Sequence, residues 1–359
     1  MQKQSLDFLY SLLETPGPSG FEQGIQKVVK RRVEKYADKV TVDIHGNLIA
    51  TVNPKGAVSV MLAGHCDQIG MMVTHIDDSG YLTVNQIGGI DPAVLPGTAV
   101  TIHTRKGKHI KGVIGYPPVH LVPPGDRGKP IELSKVWVDV GAKDGAQARK
   151  WIEIGDPITY ELNVRRLGDN AISAPGCDDR VGVHVAMEAL RIFASKIKGK
   201  KNFPVALHAV STVQEELGLR GAKTAAYALD PRVGIAIDVT HASDNPGADA
   251  KKIGTVKLGK GPTIARGPNI NPVIEAMLVE TAEKKKLDFQ PLSAAGATGT
   301  DANVIQISRS GVAAALIGIP CRYMHTQVEV VDLRDISLAA EIIAETVLKI
   351  TPKMTFVPV

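Results

Sequence analysis

The chain has 359 residues, of which 44% are apolar and 22% are charged, and its formal net charge is +5. This composition is typical of a globular protein with a sizeable core and excludes an intrinsically disordered chain. Short basic runs at 196–201 and 283–288 are typical of solvated helix ends, so we expect no nucleic-acid-binding surface. The length suits one large domain or two modest ones.

Residues 1–38 are predicted to form two helices separated by the turn sequence TPGPSG. The apolar residues of the first helix recur on one face: Leu6, Leu9, Tyr10 and Leu13. Acidic residues lie between them, so we do not interpret this segment as a signal peptide. No apolar run reaches the roughly 18 residues of a membrane span, so no membrane association is expected.

Residues 40–53 are predicted to form a hairpin that turns at 45–47. The nearly all-apolar sequence SVMLAGH, at 59–65, indicates a strand that is buried on both faces of a sheet. Between residues 69 and 165 the sequence changes to short alternating strands with frequent turns. This stretch predicts a small β-barrel or sandwich.

After residue 170, predicted helices and strands alternate, which is typical of a mixed or parallel sheet with helices on both faces. The helices are predicted at 179–197, 218–228, 271–286 and 335–350, and the strands at 204–212, 233–239 and 311–318. We therefore predict an α/β domain made of residues 1–68 and 166–359. A β-rich insert, residues 69–165, interrupts it.

Acids and histidines stand where the apolar strands of the α/β domain end. They are His65, Asp67, Asp178, Asp179, Glu215, Glu216, Asp238 and His325. A single histidine there is more often structural, and a single acid before a helix is more often an N-cap. Functional groups of open α/β sheets nevertheless gather at this edge, and clustered carboxylates repel one another unless cations stabilise them. The whole set therefore predicts a site for divalent cations.

Five of these side chains would suit two metal ions that share one carboxylate: His65, Asp178, Glu216, Asp238 and His325. Adjacent residues of an extended segment point to opposite sides, so one of Glu215 and Glu216 can bind metal while the other acts as a general base. Asp67 lies on the same side as His65 and can hold the second nitrogen of its imidazole.

Five segments carry a resemblance to a known family: GHCDQIG, GCDDRVG, QEELGLRGA, AIDVT and RYMHTQVEVVDLRD. In order and spacing they resemble the di-metal aminopeptidases that assemble as tetrahedral dodecamers, whose members include glutamyl aminopeptidases and cellulase-M-like proteins. The resemblance covers nearly the whole chain. It implies a mixed-sheet zinc-peptidase catalytic domain, a barrel-like insert used for assembly, peptide substrates and a homo-oligomer of twelve chains. One departure is Gln68, where many relatives have Glu.

The resemblance also implies roles for the site residues. One metal would bind His65, Asp178 and Asp238, and the other would bind Asp178, Glu216 and His325. Glu215 would be the general base, and the peptide bond between Asp178 and Asp179 would be cis. A carboxylate-rich site with two histidines admits Zn²⁺, Co²⁺ or Mn²⁺, of which we favour the first two.

Other functions stay open at this point. A glycosidase needs two carboxylates about a sugar ring, usually with aromatic platforms, whereas aromatic residues make up only 4% of the chain. A di-metal deacylase or carboxypeptidase could use the same metals and base. A non-enzymatic scaffold would be free to lose the base or a ligand, yet all six positions are present.

The three cysteines are far apart and form no CxxC pair: Cys66, Cys177 and Cys321. Their number and spacing favour a reduced, cytoplasmic protein. Each stands beside one of the five segments, which fits small side chains packed behind a site better than it fits a redox switch.

Overall fold

A computed structural model describes residues 1–358, the side chain of Asp126 excepted. The helices of this part are α1 (Lys3–Leu13), α2 (Gln23–Val33), α3 (Gly145–Trp151), α4 (Cys177–Ile197), α5 (Arg220–Leu229), α6 (Ala250–Ile253), α7 (Pro272–Lys285), α8 (Ala302–Gln306) and α9 (Leu333–Val347). Short 3₁₀ helices span Pro92–Val94, Pro124–Asp126 and Leu133–Lys135.

The strands of the first half are β1 (Lys39–Val42), β2 (Leu48–Val52), β3 (Val58–His65), β4 (Gly70–Ile76), β5 (Leu82–Ile87), β6 (Ala99–His103), β7 (His109–Gly115), β8 (Trp137–Asp139) and β9 (Pro157–Tyr160). Those of the second half are β10 (Arg165–Leu167), β11 (Ala171–Ser173), β12 (Val205–Thr212), β13 (Val233–His241), β14 (Thr263–Arg266), β15 (Gln290–Ser293), β16 (Ala313–Cys321) and β17 (Val330–Asp332).

An eight-stranded mixed sheet has the order β1-β2-β12-β3-β13-β16-β14-β15. The central strands β12, β3, β13 and β16 run parallel, so their carboxyl ends meet at one edge. Alternate residues of β3 face opposite sides. Val60 and Leu62 join the core that α4 and α9 cover, while Met61 and Ala63 join the core that α5 and α8 cover. The predicted mixed α/β class, with helices on both faces, is confirmed.

Helix α4 lies unusually close to strand β3. A Cβ atom added to Gly64 would lie only 2.4 Å from the backbone carbon of Gly182. The same approach brings the start of α4 beside the end of β3, where the Asp179 carboxylate accepts the backbone N–H groups of His65, at 3.2 Å, and of Gly182, at 3.0 Å. Glycine at both positions therefore decides where the acids of α4 meet His65.

The β-rich stretch forms a closed barrel with strand order β4-β5-β8-β7-β6-β9. Every pairing in it is antiparallel. Its interior is filled by a separate apolar core that includes Met71, Leu82, Ile102, Val138 and Ile158. Of the two architectures that the sequence allowed, the structure is the barrel, and closure leaves its strands without free edges.

The predicted hairpin is β1 paired with β2, and the four long helices predicted after residue 170 are α4, α5, α7 and α9. The sequence did not predict the four-residue strands β14 and β15, of which β15 is at the edge of the large sheet, nor the small sheet β10-β11-β17. Among the described residues, no helix is both long and apolar enough to cross a lipid bilayer.

Candidate active site

The acids and histidines predicted from the sequence do meet at the carboxyl edge of the parallel strands. His65 ends β3, Asp238 lies near the end of β13, and Glu215 and Glu216 follow β12. Asp178 is in the first turn of α4, and His325 follows β16 after a short loop. Parallel strands that neighbour one another in the sheet bring such distant positions together.

Asp178 stands between the two histidines. Its Oδ1 atom lies 3.1 Å from Nε2 of His65, and its Oδ2 atom lies 3.2 Å from Nε2 of His325. The Glu215 carboxylate is 3.8 Å from Nε2 of His65, and the Glu216 carboxylate is 3.6 Å from Nε2 of His325. Each oxygen of the Asp178 carboxylate thus faces a different imidazole. Glu215 lies beside the imidazole of His65, and Glu216 lies beside that of His325.

Backbone carbonyls orient both imidazoles. Nδ1–H of His65 donates to the carbonyl oxygen of Asp67 at 3.1 Å, and Nδ1–H of His325 donates to that of Gly89 at 2.8 Å. With both Nδ1 atoms occupied, each histidine presents Nε2 to Asp178, as a metal ligand would. Gly89 belongs to the barrel segment. A Cβ atom added to Gly89 would lie 3.3 Å from the His325 ring.

Asp67 supports the site differently from the sequence interpretation. Its carboxylate lies 3.5 Å from Nδ1 of His65, farther than its own carbonyl oxygen. The carboxylate instead accepts hydrogen bonds from the backbone N–H groups of Glu215, at 3.1 Å, and Glu216, at 3.2 Å, and from the hydroxyl of Ser19 at 2.6 Å. Asp67 therefore fixes the loop that carries both glutamates.

Two groups of side chains have ligand atoms close enough for one cation each. One is His65, Asp178 and Glu216, and the other is His65, Asp179 and Asp238. In the second group, Asp179 takes the place of Asp178. The sequence did not predict Asp179 as a ligand. The peptide bond between these two aspartates is cis, as the resemblance implied.

The charges of this cluster are poorly compensated by the protein alone. Burial raises the pKa of Glu215 to about 10 and that of Glu216 to about 8. Burial also raises the pKa of Asp238 well above its usual range. Hydrogen bonds from His325 and His65 overcome the effect of burial on Asp178 and hold its pKa below the usual range. A divalent cation would stabilise these carboxylates in their charged form, so oxygen and nitrogen donors of this kind fit bound metal ions.

Glu329 is a supporting residue that sequence reasoning missed. Its side chain is 2% exposed, and its two oxygens accept the backbone N–H groups of Asp178, at 3.0 Å, and His325, at 2.9 Å. It thereby joins the loop after β16 to the start of α4. The only signal in the sequence is an acid in the apolar segment VEVVD, four residues after His325.

A cavity of about 670 Å³ opens over the cluster. The described residues that line it include no Trp, Tyr or Phe, which disfavours the glycosidase interpretation. His241 reaches its rim, whereas His120 lies in the barrel segment, away from the cavity lining. The three cysteines are buried, and burial raises the pKa of the Cys66 thiol, so all three fit packing positions.

Comparisons with known proteins give matches to one family of peptidases. Residues 46–342 match the M42 glutamyl aminopeptidase family. The chain is 39% identical over 355 residues to a lysyl aminopeptidase of Pyrococcus furiosus. The aligned residues cover 98% of this chain and 99% of the relative.

Two solved structures have the same fold. One is a TET aminopeptidase from a marine sediment archaeon of the Thaumarchaeota, with a TM-score of 0.90, 33% identity and 96% coverage of each chain. The other is the TET1 peptidase of Pyrococcus horikoshii, which can assemble into a tetrahedron or a large octahedral shell. Its TM-score is 0.84 at 29% identity, with coverage of 96% of this chain and 100% of that chain.

We predict that Glu329→Gln weakens binding of divalent cations. The amide has only one acceptor oxygen, so it would turn an N–H group toward one of the two backbone donors and release Asp178 or His325. Loss of such a support typically costs about 10–100-fold in metal affinity. Equilibrium dialysis with Co²⁺ measures this, with Glu14→Gln, an exposed position, as the control. Equal affinities in both variants would contradict the role.

Proposed function

The chain belongs to the M42 glutamyl aminopeptidase family and is a peptide hydrolase that releases N-terminal residues, and we propose that it does so at a centre for two divalent metals. One observation carries the proposal. The two oxygens of Asp178 face Nε2 of His65 and Nε2 of His325, at 3.1 Å and 3.2 Å. A carboxylate in that position suits a bridge between two cations.

The proposed ligands follow from this bridge. Asp178 would be shared, with His65 and Asp238 on one side and Glu216 and His325 on the other. Zn²⁺ or Co²⁺ suits the mixed carboxylate and imidazole donors, and Mn²⁺ is the third choice. Such ions lower the pKa of water and polarise a carbonyl group. The position of Asp179 beside Asp238 supports a role in orienting the first set of ligands.

Glu215 is proposed as the general base. Its carboxylate lines the cavity, is 8% exposed and makes its closest ion-pair contact with His65 at 3.8 Å. Burial raises the pKa of Glu215, and nearby divalent cations would lower it again, which suits a group that must accept and return a proton. In the reaction, water attacks the scissile carbonyl carbon and gives a proton to Glu215. Glu215 then protonates the leaving amine as the C–N bond breaks.

We also propose that two parts of the chain have different functions, one in catalysis and one in assembly. Residues 1–68 and 166–359 would form the catalytic domain, and the insert 69–165 would carry contacts in a homo-oligomer of twelve chains. The separate core of the barrel supports this division. Exposed apolar side chains in the insert support the contacts: Val113 at 52%, Val119 at 59% and Leu121 at 75% exposure. The assembly of the P. horikoshii relative supports the oligomer.

The first test concerns metal dependence. Exhaustive chelation should abolish hydrolysis of peptides with a free N-terminus, and added Zn²⁺, Co²⁺ or Mn²⁺ should restore it. N-acetylated and C-terminal-reporter peptides serve as controls, because a deacylase or a carboxypeptidase would cleave those instead. Full activity of the metal-free protein would refute the proposed centre.

The second test separates the two adjacent glutamates. Glu215→Gln keeps the size and removes the base, so turnover should fall by about 10²–10⁴-fold while two metals remain bound. Glu216→Gln removes an anionic ligand, so metal content should fall and excess metal should restore part of the activity. Metal per chain, measured together with turnover, distinguishes these results. Loss of metal in Glu215→Gln but not in Glu216→Gln would reverse the assigned roles.

The third test concerns assembly. Light scattering of the intact protein should give the mass of a large oligomer, and Leu121→Asp should shift it to smaller species because a charge would enter an apolar contact. Ile44→Asp is the matched control, since Ile44 is fully exposed in the β1–β2 turn, outside the insert. A monomer under native conditions, or equal dissociation of both variants, would argue against assembly through the insert.

A further inference from the structure

The cavity over the acidic cluster has a second wall of different chemistry. Besides Ala294 and Val239, five apolar residues line it beside the acids: Leu219, Ile253, Leu292, Leu316 and Met324. We propose that this wall selects peptides whose N-terminal residue has an uncharged apolar side chain, such as leucine or methionine. The inference rests on the aminopeptidase function proposed above and goes further by assigning its substrate class.

The apolar wall is adjacent to the reacting groups. Met324 immediately precedes His325, and the backbone N–H group of Leu219 donates to the carbonyl oxygen of Glu215 at 2.8 Å. A substrate side chain next to the scissile bond would therefore have the apolar wall in the same cavity as the acids. Leu316, on the neighbouring strand β16, is only 5% exposed and continues the wall into the core.

Two further elements close the wall. Ile253 ends the short helix α6, and Leu292 lies on β15. Gly254, next to Ile253, lies beside Leu292, because a Cβ added there would be 3.5 Å from Cδ1 of Leu292. Both side chains are half-buried, so part of their surface remains for a bound substrate to cover.

Apart from the acids and histidines of the cluster and His241, the lining offers no partner for a charged substrate side chain. Within residues 1–358, it contains no Lys or Arg, and its only acids are those of the cluster. The nearby Lys251 and Lys252 are exposed on α6, and Arg322 is paired with Asp244 at 2.8 Å and 2.7 Å. His241 is exposed at the rim, where water screens its interactions.

Desolvation then decides the preference. A glutamate side chain in this cavity would lose its water without gaining a cation, and it would stand near the carboxylates of the cluster. A lysine side chain would also lose its water. It would gain no ion pair in exchange, because the acids of the cluster already face histidines or metal ions. An aliphatic side chain instead gains from leaving water. The chain would thus differ from the glutamyl and lysyl preferences in the names of its family and of its P. furiosus relative.

The test begins with the intact, metal-loaded protein and the p-nitroanilides of leucine, methionine, glutamate and lysine. We expect kcat/KM for the leucine and methionine substrates to exceed that for the two charged substrates by about 100-fold, because an unpaired buried charge is strongly rejected. A glutamate or lysine substrate that reacts as well as leucine would overturn the inference. Hydrolysis of none of the four, with any metal, would instead refute the proposed function.

Variants of Ile253 test the wall itself. Ile253→Arg should raise the glutamate-to-leucine ratio of kcat/KM by about tenfold or more, and Ile253→Asp should raise the lysine-to-leucine ratio similarly, since each adds the missing partner. Ile307→Arg and Ile307→Asp are the matched controls, because Ile307 is 73% exposed and does not line this cavity. Unchanged ratios at residue 253, or equal shifts at both positions, would overturn the inference.

Discussion

The structure depends on one carboxylate, that of Asp178, which two imidazoles share. Its two oxygens lie 3.1 Å and 3.2 Å from Nε2 of His65 and His325, residues that are 260 positions apart in the chain. Three elements must be placed correctly for this contact: β3, the start of α4 and the loop after β16. The glycine contact between β3 and α4 sets the first distance, and the hydrogen bonds of Glu329 set the second.

The same arrangement explains why so polar a site can exist within an apolar fold. Strands β3, β13 and β16 are almost wholly buried. Their apolar contacts stabilise the sheet without a contribution from the site residues. The acids stand only at the ends of these strands, where loops begin. Their raised pKa values show the unfavourable energy of keeping several carboxylates charged together in a buried place. Such a place favours cations over protons once metal is available.

Much of this could be predicted from the sequence, because the signals are local. A nearly all-apolar run such as residues 59–65 indicates a buried strand, and an acid or histidine at its end indicates a site. The parallel sheet, its flanking helices and the barrel were predicted for this reason. The short strands β14 and β15 were not, since four residues are too few to show a period.

The missed site residues have a different cause. Glu329 and Asp179 act on backbone N–H groups of distant segments, and no sequence pattern reports which N–H group a carboxylate will meet. Asp67 was placed beside His65 from its spacing, yet its carboxylate mainly binds the loop of Glu215 and Glu216. Spacing in the sequence predicts which residues lie near one another. Hydrogen bonding in the folded chain decides which groups each side chain binds.

The carbonyl oxygen of Gly89 has a consequence for how this architecture can evolve. It comes from the barrel segment, yet it accepts the Nδ1–H group of His325 in the other part of the molecule. The insert is therefore no detachable module: a lineage that lost or exchanged it would also lose the acceptor that selects the tautomer of this histidine. Change in the barrel is constrained at the pair of glycines, Gly88 and Gly89, that approach Glu216 and His325.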